Sequence, residues 1–203
     1  VRKDVKKMKL GVALSGGGIR GVAHAGALKA FEENGIKIDA IGGTSSGSLV
    51  AVLYAMGYTP YYIYMLFKRY AQELVAVDTT PIINTVSSFI TNKKFQIYGF
   101  NSGEAIEKAY NEIALRKGVR YMSDIKMPIV IPAVDVKTSK EYVFTNKRNK
   151  SMYISDIPVG TAVRASSSYP GVFAPCIYKE HKFVDERYSI EIYHDLENLL
   201  GYK

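Results

Sequence analysis

The residues of this chain best suited to chemistry lie in two glycine-rich turns. Ser45 stands at the centre of Gly43-Thr44-Ser45-Ser46-Gly47. That is the G-x-S-x-G pattern in which a serine is raised on a sharp turn between a strand and a helix. The flanking glycines Gly43 and Gly47 leave room for the turn, and the amide of Ser46 can point toward an oxyanion that forms when the hydroxyl attacks a carbonyl. The chemistry implied is acyl transfer through a covalent serine intermediate. The other turn is Gly16-Gly17-Gly18-Ile19-Arg20-Gly21. Consecutive glycines let the backbone approach a ligand with no Cβ in the way, and their amides can form an anion nest. Gly16, Gly18 and Gly21 also satisfy G-x-G-x-x-G, and Asp39 lies near the acidic distance of that motif, so a dinucleotide-binding oxidoreductase is the rival reading. Two features oppose it. Asp39 falls near the beginning of the second strand instead of its end, and the residues after that strand form the serine turn. A Walker loop is excluded because Val22, not lysine, follows Gly21.

Both turns need a strand before them and a helix after them. Leu10 to Leu14 is a short apolar run that reads as a buried parallel strand. Gly21 to Asn34 carries an apolar stripe of Ala23, Ala27, Ala30 and Phe31, with Gly35 as a stop, and predicts a helix. Ile36 to Ile41 predicts the second strand, and the stretch from Ser46 to Gly57 the second helix. Thr59-Pro60 opens a third helix. Asn101 with Glu104 predicts a helix over Ser102 to Arg116. Met127 to Val136 and Glu141 to Thr145 read as strands, Val159 to Ala165 as a short helix, and Lys182 to Val184 as a last strand. The order strand–turn–helix, repeated, is that of a wound α/β sheet.

Bulk properties narrow the function classes. The chain has 203 residues, 47% of them hydrophobic and 23% charged, enough for one α/β domain with a sizeable core. Lys and Arg outnumber Asp and Glu by 27 to 19, for a net charge of +8; such a field attracts polyanions and anionic membrane surfaces alike. The basic clusters Lys3 to Lys9 and Lys147 to Lys150 are short and belong to no nucleic-acid module, so they read as solvated surface and no nucleic-acid partner is expected. Cys176 is the one cysteine, which excludes an internal disulfide framework and fits a reducing, cytoplasmic compartment. His24, His181 and His194 have no metal-binding spacing with it, and no metal or cofactor is expected. The basic start runs straight into Ser15-Gly16-Gly17-Gly18, too soon for a signal sequence. No run of about 18 apolar residues is available to span a membrane.

Several motifs in register resemble the patatin-like phospholipase family: Gly16-Gly17-Gly18-Ile19-Arg20-Gly21, then Gly43-Thr44-Ser45-Ser46-Gly47, then Ala162-Val163-Arg164-Ala165-Ser166 with Pro170-Gly171-Val172-Phe173, then Phe183-Val184-Asp185. The resemblance runs from about Lys9 to Asp185, with residues 186–203 an atypical tail to what reads as one domain, 1–203. It implies a three-layer α/β/α sheet bearing the serine elbow. It implies Ser45 as nucleophile, Asp185 as its partner in a dyad without histidine, and the Gly16–Gly18 loop with Ile19 and Arg20 as the oxyanion site. The substrate implied is a phospholipid or another lipid ester, and the alternative is a silent scaffold or lipid-binding protein of the same fold. The family's aspartate is normally followed by glycine, whereas Glu186 and Arg187 follow Asp185 here, as a gap in the chain at that junction would leave.

A Ser–Asp–His triad through His194 is the competing mechanism, but nine residues from Asp185 to His194 are few for two separate sheet loops. His194 reads as part of a solvated helix face, His24 as a packing or capping residue and His181 as a turn residue. Tyr61 to Phe67 is apolar or aromatic on every side, which predicts mostly core. With Phe89 to Phe100 it is also the candidate for an acyl-chain pocket or lid. The neighbouring Lys68, Arg69, Lys93 and Lys94 suit a bilayer interface.

Overall fold

The computed structural model describes residues 8–75, 102–147, 150–185 and 191–201. Phe89 to Phe100, Lys93 and Lys94, most of the Lys3–Lys9 cluster, Arg148 and Asn149, and the Glu186–Arg187 junction lie outside the described residues.

The chain runs β1 (Gly11–Leu14), a 3-10 turn (Gly18–Val22), α1 (Ala23–Glu33), β2 (Ala40–Gly43), α2 (Ser46–Ala55) and α3 (Pro60–Val75). It continues with α4 (Glu104–Leu115), β3 (Ile129–Asp135), β4 (Lys140–Thr145), β5 (Tyr153–Ile154), α5 (Val159–Ser167), β6 (Cys176–Tyr178), β7 (His181–Val184) and α6 (Glu191–Leu200). The caps follow from local chemistry. Gly35 takes φ +66° just past the end of α1, a left-handed turn that costs glycine little. The Thr59 hydroxyl accepts the Tyr62 amide at 3.2 Å and starts α3; the Ser102 hydroxyl does the same for Glu104 at α4.

The sheet order is β1-β2-β3-β4-β5. β1, β2 and β3 are parallel, and β4 is antiparallel to β3. Side chains alternate across it. On one face Ile41, Ile129, Ile131, Phe144 and Phe183 pack with α2 and α5. On the other, Ala40, Val130, Val143 and Tyr153 pack under Ile192, Leu196, Leu199 and Leu200 of α6. The tail thus supplies the third layer, and the α/β/α expectation holds. Tyr153 donates its hydroxyl to the buried Asp195, which Lys150 also reaches at 3.1 Å, and these bonds pin α6 to the sheet.

β3 carries the feature that organises the site. One edge pairs with β4 along its length. The other is shared: β2 pairs at Ile129 and Val130, and β7 arrives from the opposite direction to pair at Val134 and Asp135. Between these pairings, roughly 13 Å of strand faces neither partner. Pro132 sits in that interval. Its partner on β4, Val143, sends its own amide to Met152. The missing N–H of Pro132 is therefore directed at the gap, where proline deprives no strand of a bond.

Two sequence expectations need correction. The second strand is Ala40–Gly43, not Ile36–Ile41. Glycine is a poor strand former, but Gly42 lies where a Cβ would come within 2.6 Å of Val130 Cγ2 and 3.0 Å of Ile192 Cδ1, so packing overrides propensity. In the aromatic run of α3 only Ile63 is sealed in the core. Tyr61, Tyr64 and Met65 are 69%, 44% and 43% exposed, and with Lys68 they fall at helical spacing on an outward stripe.

Candidate functional site

The serine elbow is a product of backbone crowding. Ser45 adopts φ +52°, ψ −125°, a conformation that costs a non-glycine residue on the order of 1–3 kcal/mol and persists only where neighbours enforce it. The neighbours are visible. A Cβ on Gly43 would sit 2.3 Å from the Gly47 carbonyl carbon, and one on Gly47 would sit 2.1 Å from the Leu14 carbonyl oxygen. Only glycine permits these approaches. The Ser45 amide donates to Ser166 O at 3.1 Å and to Ser166 Oγ at 3.3 Å. The Ser45 carbonyl accepts the Ser48 amide and hydroxyl at 2.9 and 2.6 Å. Ser45 is thereby held at the N-terminus of α2, at the positive end of its dipole.

The first glycine loop closes against this elbow. A Cβ on Gly16 would stand 3.1 Å from Ser45 Cβ and 3.8 Å from its Oγ. Gly18 takes φ +57° as the 3-10 turn begins, and Gly21 packs onto Ser46 so closely that a Cβ would meet its side chain at 2.6 Å. Ser15 to Arg20 are exposed. His24 does not cap a helix; its Nε2 lies 2.9 Å from Ser15 O and ties the start of α1 to the residue after β1. Asp39 instead accepts the Leu10 amide at 3.0 Å before β1 and faces Lys37 at 3.6 Å. It thus sits at the far end of the parallel strands from the glycine loop, and the dinucleotide arrangement is not formed.

Asp185 follows β7 directly. Its backbone amide donates to Ser168 O at 3.0 Å. Ser45 and Asp185 therefore hang from Ser166 and Ser168, no more than about 7 Å of chain apart. This serine-rich end of α5 is the positioning element that sequence reasoning missed, although Ser166 closes one of the motifs. Arg164 of α5 is tied to α4 through Glu107 at 2.8 Å, and Thr161 bonds the same carboxylate at 2.6 Å. Gly160 allows the α4 backbone to pass, since a Cβ there would lie 2.0 Å from Glu107 O.

The other titratable candidates fall elsewhere. The His194 side chain is 73% exposed and lies 3.4 Å from Glu197 on α6, so no triad forms through it. His181 is the first residue of β7, not a turn residue, and its Nδ1 lies 3.1 Å from Asp135 Oδ2. Burial pushes the Cys176 thiol up to about 12, which makes it inert as a nucleophile. Among the described residues no group of three or more His, Cys, Asp or Glu is placed to hold a metal ion. No described helix is long and apolar enough to cross a membrane.

The model of the family described as patatin-like phospholipase matches residues 12–188. The chain belongs to that family. Among its relatives, uncharacterized protein YqhO of Bacillus subtilis is 32% identical over 169 residues, 79% of this chain and 56% of that protein. Lysophospholipase NTE1 of Debaryomyces hansenii is 32% identical over 186 residues, 88% of this chain and 10% of the yeast protein. Its counterpart in Kluyveromyces lactis is 55% identical over 88 residues, 42% of this chain and 6% of that protein. The chain thus spans little more than half of the bacterial relative and a small part of the yeast ones. The solved structure of VipD from Legionella pneumophila shares the fold, with a TM-score of 0.56 at 12% identity over 89% of this chain and 46% of that one.

Proposed function

We propose that this patatin-like chain is a serine lipid acyl hydrolase in which Ser45 attacks the ester carbonyl of a phospholipid or related lipid. The observation that carries the reading is the strained Ser45 elbow closed against the Gly16 loop, on a chain whose family and yeast relatives are phospholipases by name. Asp185 takes the hydroxyl proton as the bond forms and returns it to the leaving alcohol; water then repeats the cycle on the acyl-enzyme. An aspartate is a weak base, with a reference pKa of about 3.9. The negative charge must therefore pass at once to the carbonyl oxygen, where the Gly17, Gly18 and Ser46 amides stabilise it. Arg20 shapes the loop that presents the Gly17 and Gly18 amides.

The apolar outward stripe of α3, flanked by exposed Lys68 and Arg69, suits peripheral contact with an anionic membrane surface. Vesicle binding that weakens with salt is expected, and salt-independent binding argues against the contact. The chemistry is tested by single-turnover hydrolysis of a fluorogenic lysophospholipid and by fluorophosphonate labelling. Ser45→Ala abolishes both, and Asp185→Asn lowers turnover by at least about a hundredfold. Wild-type rates in either variant refute the dyad. An unlabelled wild-type chain points to the scaffold alternative.

A further inference from the structure

β7 ends at the candidate base, yet only two residue pairs tie it to β3: Val134 with Val184, and Asp135 with Phe183. On its other edge β7 pairs over three residues with β6, itself an outer strand. Asp185 is therefore joined to the main sheet through this two-pair ladder and its Ser168 bond, a short support for a residue that must be held to a fraction of an ångström. The Asp135 side chain reinforces it. That carboxylate is 1% exposed. Its Oδ1 accepts the amides of Lys137 and Lys182 at 3.1 Å each. Its Oδ2 accepts the Thr138 hydroxyl at 3.0 Å and lies 3.1 Å from His181 Nδ1. Each oxygen thus bonds one group from the β3–β4 turn and one from β7. The carboxylate is a rivet through both.

The β7 half of the rivet is aligned with the site. His181, Phe183 and Asp185 alternate onto one face of β7. The His181 ring stacks on Phe183, with centroids 5.3 Å apart, and meets Tyr142 at 4.6 Å. Phe183 is fully buried against Phe144. Rotation or sliding of β7 must break this row before Asp185 can leave its place.

We propose that Asp135 and His181 form a clamp that positions Asp185 for proton transfer, so that His181 is a positioning residue although no proton of the reaction passes through it. The inference rests on the Ser45–Asp185 reading. His181→Phe keeps an aromatic ring in the row and removes the bond to Asp135. It lowers kcat by about tenfold and leaves KM within about twofold. His181→Asn, which restores a donor, recovers most of the loss. Thr138→Val removes the bond to the same oxygen from the turn side; it costs similar stability and leaves kcat within about twofold. In the Asp185→Asn background His181→Phe changes the rate by less than about twofold, because the group it positions is gone. Wild-type kcat in His181→Phe, or an equal loss in Thr138→Val, overturns the clamp. If Asp185→Asn itself keeps the wild-type rate, the dyad fails and the clamp fails with it; if only Asp185→Asn is impaired, the dyad stands and the clamp does not.

Discussion

Replacing Gly47 with alanine adds one methyl group and should unfold much of what makes the site. The new Cβ would lie 2.1 Å from the Leu14 carbonyl oxygen, 2.7 Å from its carbon and 2.8 Å from the Ser15 oxygen. All three are backbone atoms, so no rotamer change relieves the clash. Restoring contact of about 3.2 Å requires α2 and the end of β1 to separate by about 1 Å. The Leu14 carbonyl also accepts the Thr44 amide at 3.1 Å, so separation strains the turn that holds Ser45. Overpacking a core costs about 1–3 kcal/mol where side chains can yield; with backbone on both sides we expect about 3 kcal/mol or more, a Tm lowered by roughly 10 °C. Displacing the glycine loop from Ser45 by the same distance predicts about a hundredfold loss of turnover in the surviving folded fraction. Gly26→Ala is the matched control: it lies in the interior of α1 with nothing within 4 Å of the added Cβ, and gains about 0.5–1 kcal/mol from helix propensity. Urea melts of both variants, with esterase rates measured well below their midpoints, provide the comparison. A Gly47→Ala protein within 1 kcal/mol of wild type refutes the crowding account of the elbow.

Other outcomes follow from polar groups away from Ser45. Burial raises the Asp135 carboxyl, but the bonds from His181, Lys182, Lys137 and Thr138 outweigh that and hold it at about 2, below its ordinary 3.8. A depressed folded-state value stabilises the fold above about pH 4, and this contribution, on the order of 2 kcal/mol, is lost as pH falls from about 4 to about 2. Melts between pH 7 and pH 2.5 should show that slope in wild type and not in Asp135→Ala; equal slopes argue against it. Tyr153→Phe deprives the buried Asp195 of a donor and should cost about 1–3 kcal/mol. Because α6 covers the sheet face away from α2, its kcat should stay at the wild-type value, and a large drop contradicts the layer assignment.

What the sequence reveals differs from element to element. The two glycine turns are legible because their signal is local: a run of small residues between an apolar strand and an apolar helix. The three layers come from the resemblance alone. Ile192, Leu196, Leu199 and Leu200 of α6 cover the second sheet face, yet residues 186–203 read only as an atypical tail, because their helical spacing does not say which surface they cover. β5 and β6 are not, since two or three residues such as Tyr153-Ile154 show no period. The exposure of Tyr61, Tyr64 and Met65 contradicts their composition, because an aromatic run says nothing of how many neighbours the fold provides. The part of Asp135 in holding β7 depends on a strand 46 residues away. A local trace was available nonetheless: Asp135-Val136-Lys137-Thr138 ends an apolar strand with an aspartate that bonds the amide two residues on, the mark of an Asx turn.

The opposed arrival of β2 and β7 on one edge of β3 also orders events in time. The glycine crowding around Ser45 comes from the first quarter of the sequence, by contacts that close short chain loops, while the Ser166 bonds to the Ser45 amide arrive only with α5. Asp185 reaches β3 only after the chain has run through α4, β4 and α5 and returned, and non-local closure of this kind is the slow step in folding. A refolding or nascent chain therefore forms the crowded Gly43–Gly47 turn before it has Asp185, the proposed base, or the Ser166 bonds that hold Ser45. Ester hydrolysis should be the last property to return on dilution from denaturant, later than the helical signal that α1 and α2 contribute.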